Sequence, residues 1–329
     1  MTGERERFDD YVERCLYDPV AGFYAGGGGT AGRARGDFIT SPETGPLFAD
    51  VLARAIDGWW QDLGRPARLT VVDAGTGPGT LARHLAAAEG PAAAARTVVG
   101  VDHDDPLPDD LDGAVVIANE LLDNLPFRVL ERTEDGWAEW WVSGGHSASP
   151  RAELVPVDGR PATGPDRHRD AVITALDRAG DTWPPGTRVP LLDRAAAWVA
   201  DVLERGAALV VAFDYGAPTT AELAQRGGWL RTYRQHDRGD DPFHQPGHWD
   251  ITTDVAVDQL PPPSAVTTQA DFLRHHGIDE LVAEGRRHWT ANAARPDLRA
   301  MRMRSRISEA EALTDEQGLG SWLALSWHR

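Results

Sequence analysis

Apolar residues fall along this chain in two rhythms, one helical and one of short unbroken runs. Phe8, Tyr11, Val12, Cys15 and Leu16 stand at i, i+3, i+4, i+7 and i+8, the stripe of a short amphipathic helix within residues 5–16, and Asp18-Pro19 ends it. A glycine-rich loop follows through Gly22-Phe23-Tyr24, the four glycines 26–29 and residues 36–43. Ser41 and Pro42 read as the N-cap and first residue of a helix carrying Leu47, Phe48, Val51, Leu52, Ala55, Ile56 and Trp59 on one side. Residues 69–72 form a buried-strand run, Gly75-Thr76-Gly77-Pro78-Gly79 a tight turn, and residues 81–95 an alanine-rich helix broken by Gly90-Pro91. Apolar runs at 97–101, 114–118 and 207–213 follow, the last after a helical stretch at 193–205. This alternation predicts an α/β protein with a parallel sheet covered by helices.

Other stretches depart from that alternation. Residues 126–156 alternate around Trp137, Trp140 and Val142, with turn signals at Asp135-Gly136 and Gly144-Gly145, and read as antiparallel strands. Residues 226–258 are polar, aromatic and histidine-bearing without a period, the mark of a structured loop excursion. Pro261-Pro262-Pro263 punctuates, residues 269–312 are helical with a break near Pro296, and residues 320–328 close as a strand. The expected division is a helical and loop cap (1–65), a cofactor-binding core (66–216) with an antiparallel insertion at about 126–160, and a substrate-side portion (217–329).

Composition removes much chemistry. With 329 residues, 41% of them apolar, a sizeable core is available. The formal charge of -18 argues against nucleic acid as a partner. Every basic residue is arginine, so a Schiff-base lysine, a lysine base and the lysine of a P-loop are all excluded. Cys15 stands alone, which excludes an internal disulfide and a cysteine zinc site. Residues 1–16 are charged and mostly acidic, and the longest apolar run, 207–213, is too short to cross a bilayer. The expectation is a cytoplasmic protein without membrane insertion.

The glycine turn narrows the cofactor. In nicotinamide and flavin proteins the informative acid lies about 20 residues beyond the glycines. Here Asp73 ends the strand two residues before Gly75, with Gly77 and Gly79 following, which is the arrangement of S-adenosylmethionine-dependent methyltransferases. Glycines let backbone approach the methionine and ribose portions, and the strand-end carboxylate suits the donor's cationic amino end. A turn that merely joins strand to helix is the competing reading.

Further motifs run in order along the chain: Leu16-Tyr17-Asp18-Pro19-Val20-Ala21-Gly22-Phe23-Tyr24, Gly36-Asp37-Phe38-Ile39-Thr40-Ser41-Pro42-Glu43, and Asn119-Glu120-Leu121-Leu122-Asp123-Asn124-Leu125-Pro126. Later come Phe213-Asp214-Tyr215-Gly216, Leu230-Arg231-Thr232-Tyr233 and Pro246-Gly247-His248-Trp249-Asp250-Ile251-Thr252. Together with the Asp73 turn they resemble the MidA-like family, to which the arginine methyltransferase assisting assembly of mitochondrial respiratory complex I belongs. The resemblance implies a class I methyltransferase fold: a Rossmann-like sheet with helices on both faces, an N-terminal cap, an antiparallel insertion and a helical C-terminal portion. It implies S-adenosylmethionine as cofactor, held by Asp73, Gly75, Gly77, Gly79, Asp102, Asn119, Thr40 and Ser41.

For a guanidinium acceptor, Glu120 is the expected grip through paired hydrogen bonds, Asp123 a support or proton acceptor, and Asp37 a further acid from the overlying loop. Acids at a helix start, favoured by its dipole, are the plainer account of Glu120 and Asp123. Asp214 and Tyr215 are expected to border the acceptor pocket. Arg231, Tyr233 and Asp250 either clamp a peptide or, as an Arg231–Asp250 pair, hold their own loop together. His236, His244, His248 and Asp250 match no zinc spacing, so no metal is expected, and Trp59-Trp60 and Trp140-Trp141 read as packing. The implied partner is a protein carrying an arginine, a respiratory complex I subunit by family analogy. The alternatives are a small-molecule N- or O-methyltransferase and a non-catalytic assembly factor.

One interval departs from the family pattern. Asp102 and Asn119 are 17 residues apart, across Pro106, Pro108 and many aspartates, too few for the expected helix and further strand. Either Asp102 ends the second strand and is the ribose acid, the next strand being lost, or residues 97–101 are the later strand and the ribose acid is gone.

Overall fold

A computed structural model describes residues 5–25, 40–144, 149–157, 166–179, 183–234 and 237–329. Asp37, His236, Gly145 and the glycines 26–29 lie outside the described residues. The chain begins with β1 (Arg5–Arg7), α1 (Phe8–Tyr17), α2 (Leu47–Asp62), β2 (Leu69–Ala74), α3 (Thr80–Ala87), β3 (Arg96–Val101) and β4 (Val115–Asn119). Next come β5 (Arg128–Thr133), β6 (Gly136–Ser143), β7 (Arg151–Pro156), α4 (Asp166–Arg178), β8 (Arg188–Leu191), α5 (Asp193–Glu204) and β9 (Leu209–Asp214). The remainder comprises β10 (Gly216–Ala217), α6 (Thr220–Arg226), β11 (Leu230–Arg234), β12 (Asp237–Gly239), β13 (Asp250–Thr253), β14 (Val255–Ala256), β15 (Ala265–Thr268), α7 (Gln269–His275), α8 (Ile278–Asn292), α9 (Leu298–Leu313) and β16 (Leu323–His328). They fold into two units, each assembled from three separate stretches of chain.

The first unit comprises Thr30–Leu121, Val202–Asp214 and Pro263–Arg329. Its sheet has the order β15-β16-β9-β4-β2-β3, in which β3, β2, β4 and β9 are parallel and β16 and β15 antiparallel. The near-continuous apolar runs of β2, β4 and β9 follow from burial on both faces. Leu47, Phe48, Val51, Leu52 and Ile56 of α2 pack with Val71, Ile117, Val211, Phe213, Leu273 and Leu313 in one core. Two helix boundaries differ from the sequence expectation, and tertiary contacts explain both. Residues 41–43 form a 3-10 turn and α2 starts at Leu47, where the Glu309 carboxylate accepts from the Leu47 N–H at 2.9 Å. Helix α3 stops at Ala87 because the Ala92 N–H turns to Asp57, at 2.8 Å.

The interval after Asp102 resolves into topology. Strand β3 pairs with β2 on the side away from β4, so it takes the second-strand position, and among the described residues no strand lies beyond it. The 13 residues between β3 and β4 cross over β2 without a helix. The loop is tied at its far end: the Leu111 and Gly113 N–H groups donate to the Arg205 and Gly206 carbonyls at 3.3 and 3.1 Å, and Leu111 is buried.

The second unit comprises Met1–Gly29, Leu122–Asp201 and Tyr215–Pro262. The alternation read at 126–156 folds as antiparallel β5, β6 and β7, joined by β1 and β8. Leu130, Trp137, Val189 and Leu191 pack on Val172 and Leu176 of α4. Behind this core Arg128, 1% exposed, reaches Glu139 at 3.2 Å, Asp166 at 3.2 Å and Asp193 at 3.1 Å, which satisfies a cation that could not otherwise be buried. Residues 226–258 are more regular than their polarity suggested: β11 pairs antiparallel with β12 and β13. Most of their buried side chains, Thr232, Asp250, Thr252 and Thr253, are polar, and only Leu230 and Ile251 are apolar, so hydropathy did not reveal the strands. Trp140 packs edge-on to Phe8, and Trp141 lies beneath Arg5 and Arg7.

Candidate active site

In the sheet unit the strand order reverses between β2 and β4, and ligands of open α/β sheets bind outside the carboxyl ends of the strands at such a point. Three sequence-predicted groups meet there. Gly75, Gly77 and Gly79 adopt φ of 71°, 48° and 70°, backbone that residues with a Cβ rarely hold. The Gly75 and Thr76 N–H groups donate to the Val101 carbonyl at 2.8 and 3.1 Å, strapping the turn to the end of β3.

Asp73 is buried, and its Oδ2 accepts from the Thr76 hydroxyl at 2.8 Å and the Ala82 N–H at 3.0 Å. It thereby caps α3 from the preceding strand, a service that Gly79 at the N-cap cannot give. Burial pushes its pKa up to about 6 against these two hydrogen bonds, and the nearby Asp102 charge adds to the rise. Asp102 stands exposed at the end of β3, its carboxylate accepting from the His103 N–H at 2.9 Å. Thr76 was not singled out by sequence. Its neighbour Gly100 explains the tightness, since a Cβ there would lie 2.9 Å from the Thr76 hydroxyl.

Across the reversal, Asn119 ends β4 and is 9% exposed. Its amide donates to Glu120 at 3.0 Å, while its Oδ1 is buried without a partner among the described residues. Glu120 follows with φ of 54°, a left-handed backbone that costs about 1–3 kcal/mol for such a residue, and its N–H donates to the Phe213 carbonyl at 2.9 Å. The unsatisfied Asn119 oxygen, the positive-φ turn and the exposed Asp102 form a polar rim at one sheet edge and fit a ligand bearing an amine and hydroxyl groups. A cavity of about 390 Å³ lies along β3, lined by Val99, Gly100, Val101 and residues 105–109 and by none of Asp73, Asp102, Asn119 or Glu120. Thr40 and Ser41 are less available: Ser41 is fully buried and donates to Gln269 at 2.8 Å. Asp214, also fully buried, ends β9.

In the other unit the structure gathers Asp123 and Asp250 around tyrosines the sequence reading passed over. The Tyr24 hydroxyl lies 3.3 Å from both Asn124 Oδ1 and Asp250 Oδ1, and its ring stacks on Tyr17 at 5.4 Å. Burial and then the Asp250 charge hold the Tyr24 phenol well above its usual pKa, so it remains a donor. Thr252 donates to Asp123 Oδ2 at 2.9 Å, and both carboxylates are 2% exposed. Tyr17 and Tyr24 sit in the Leu16–Tyr24 motif, so their position was visible in the sequence but not their role. The expected Arg231–Asp250 pair does not form. Arg231 instead bonds Asp254, which Arg226 also holds, and lies 4.7 Å over the Tyr215 ring. Tyr233 stands opposite Asp250 in the β11–β13 register. Among the described residues no group of three or more His, Cys, Asp or Glu could hold a metal.

With this geometry in place, comparison with known proteins is decisive. A family described as "Putative S-adenosyl-L-methionine-dependent methyltransferase" matches residues 92–275, more than half of the chain. The chain belongs to this family. Its cofactor is accordingly S-adenosyl-L-methionine. The Drosophila melanogaster protein named protein arginine methyltransferase NDUFAF7 homolog, mitochondrial, is 25% identical over 75% of this chain and 63% of its own length. The Xenopus tropicalis protein arginine methyltransferase NDUFAF7, mitochondrial, is 24% identical over 82% of this chain and 71% of its own. The chain thus spans less than two thirds of the fly relative. Among solved structures, a COG1565 superfamily member from Burkholderia thailandensis bound to S-adenosyl-homocysteine is 26% identical, with a TM-score of 0.77 over 99% of this chain and 88% of that one. These names also correct one expectation. The curated relatives are named as mitochondrial proteins, which conflicts with a cytoplasmic reading. A lone cysteine excludes a disulfide but carries no compartment address.

Proposed function

We propose that the chain transfers a methyl group from S-adenosyl-L-methionine to an arginine side chain of a protein. The observation that carries the donor half is the buried, unpartnered Asn119 oxygen beside the glycine turn at the strand-order reversal. Asp73 holds the turn, Gly75, Gly77 and Gly79 let the backbone lie against the donor, Asn119 accepts a hydrogen bond and Asp102 takes the ribose hydroxyls. The bound donor supplies a methyl group already activated on a sulfonium, so the protein's work is alignment and exclusion of water.

Glu120 grips the guanidinium through paired hydrogen bonds, its strained backbone fixing the direction of the carboxylate. Asp123, from its place in the same sequence motif, is assigned to take the proton that the methylated nitrogen gives up. The arginine reading is supported by the names of the relatives; a respiratory complex I subunit, the acceptor that the family resemblance implies, is the protein we propose. A second reading, a binding or assembly factor that transfers nothing, draws on the helix-free crossover after Asp102, where the family pattern has a helix and a further strand.

Titration calorimetry with S-adenosyl-homocysteine, followed by labelled-methyl transfer to a deletion-strain lysate with peptide mapping, tests both. Label on arginine peptides is expected. Donor binding without transfer to any acceptor favours the second reading, and no binding at millimolar ligand overturns the donor site. Glu120→Gln is expected to keep donor affinity within about twofold and lower turnover by about a hundredfold or more; undiminished turnover removes Glu120 from the chemistry.

A further inference from the structure

The tip formed by the end of α8, the start of α9 and the turn between them carries a charge opposite to that of the chain. Residues 286–305 contain six arginines and one acid, Asp297, in a protein of net charge -18. The six, Arg286, Arg287, Arg295, Arg299, Arg302 and Arg304, are all exposed. Asp297 is spent on its own helix, accepting from the Ala300 N–H at 2.7 Å. The next arginine along, Arg306, behaves differently. It is buried and bound to Asp50 of α2 at 3.0 Å and Glu284 of α8 at 3.1 Å, and of the six Arg302 also reaches Asp50, at 3.7 Å.

The same tip exposes apolar side chains. Leu298 is 85% and Met301 57% exposed, one helical turn apart, and every residue from 293 to 299 is exposed. Arg304 lies 4.9 Å over the Trp289 ring, so an indole sits within the cationic patch. A projecting turn with leucine and methionine at its crest and arginines around it has the two features that peripheral membrane segments combine: apolar groups to enter the interfacial layer and cations to meet anionic headgroups. A protein partner would need a groove matched to that crest, whereas a lipid surface deforms to receive it. A duplex or single-stranded nucleic acid would use the arginines but leave Leu298 and Met301 in water. The rest of the acidic chain is screened beyond about 10 Å at moderate salt, so it does not cancel the local attraction.

We propose that the α8–α9 tip docks on an anionic lipid surface, with the exposed arginines on phosphate headgroups and Leu298 and Met301 in the interfacial layer. The contact is peripheral; among the described residues no helix is long and apolar enough to cross a membrane.

Flotation of the full chain with vesicles tests this. Phosphatidylcholine vesicles containing about 30% phosphatidylglycerol should carry the protein, pure phosphatidylcholine vesicles should not, and binding should weaken as salt rises from about 0.05 to 0.5 M. The triple variant Arg295→Glu, Arg299→Glu, Arg304→Glu should lose at least about tenfold in vesicle affinity. The uncharged pair Leu298→Ser, Met301→Ser should lose about fivefold or more at unchanged charge. Both variants should keep the parent melting midpoint and S-adenosyl-homocysteine affinity. Failure of the parent to float with anionic vesicles overturns the proposal, as does equal flotation of the triple variant. Capture of an oligonucleotide with the same arginine dependence but no loss in the serine pair assigns the patch to nucleic acid and overturns it too. Should the triple variant not fold, the serine pair alone decides.

Discussion

Asp73 is kept charged against its surroundings. Its folded pKa, about 6, lies above the ordinary 3.8 because burial penalises the carboxylate more than Thr76 and Ala82 stabilise it. The folded state therefore holds the proton more tightly than the unfolded chain, and the stabilising contribution is complete below pH 3.8, falls as pH rises to about 6, and is gone above. A shift of this size corresponds to about 3 kcal/mol. Asp73→Asn keeps an oxygen acceptor for Ala82 and removes the charge. The difference in melting midpoint, variant minus parent, is expected to grow from near zero at about pH 4 to a positive plateau above about pH 6. A difference independent of pH would show that the carboxylate is not under this constraint. A residue retained at such a cost, beside the left-handed Glu120 and the orphaned Asn119 oxygen, marks the site by its strain. The type and spacing of Asp73, Asn119 and Glu120 were legible in the sequence. That Asp73 would spend its Oδ2 on Thr76 and Ala82 was not, because a capping bond to α3 depends on where that helix docks.

The elements came through the sequence according to how their burial is achieved. Strands β2, β4 and β9 are buried on both faces and showed as unbroken apolar runs; β5 and β6 showed as alternation because the consecutive residues they bury include the polar Arg128 and Glu139. Strands β11 and β13 were invisible, because apart from Leu230 and Ile251 the side chains they bury are threonines and an aspartate, and the partner of Thr252, Asp123, comes from far along the chain. Arg128 on β5 is another such case: nothing around it in sequence announces a buried guanidinium. Arg128→Met is expected to lower unfolding free energy by about 3 kcal/mol in urea titration, near the low end for a broken buried ion pair, since Arg7 still bonds Glu139 at 2.8 Å. A loss below about 1 kcal/mol would mean that the carboxylates are hydrated without it.

At the scale of the molecule, the chain is laid out as two units drawn from alternating stretches, so consecutive residues such as Leu121 and Leu122 belong to different ones. Its charge of -18 opposes compaction of the whole. Raising salt from about 0.05 to 0.3 M is expected to lift the calorimetric midpoint by a few degrees, because screening relieves this repulsion more than it weakens the enclosed ion pairs. A fall in the midpoint would place the exposed pairs above the net charge in importance. The sequence by itself determined the alternation of strand and helix, the glycine turn with its strand-end acid and the family, because these rest on local periodicity and on residue types at short spacing. Only tertiary structure decided that β3 is the outer parallel strand, that Tyr24 lies between Asn124 and Asp250, and which arginine meets which carboxylate. Those depend on contacts between residues far apart in the chain, whose partners are set when the sheets and helices pack.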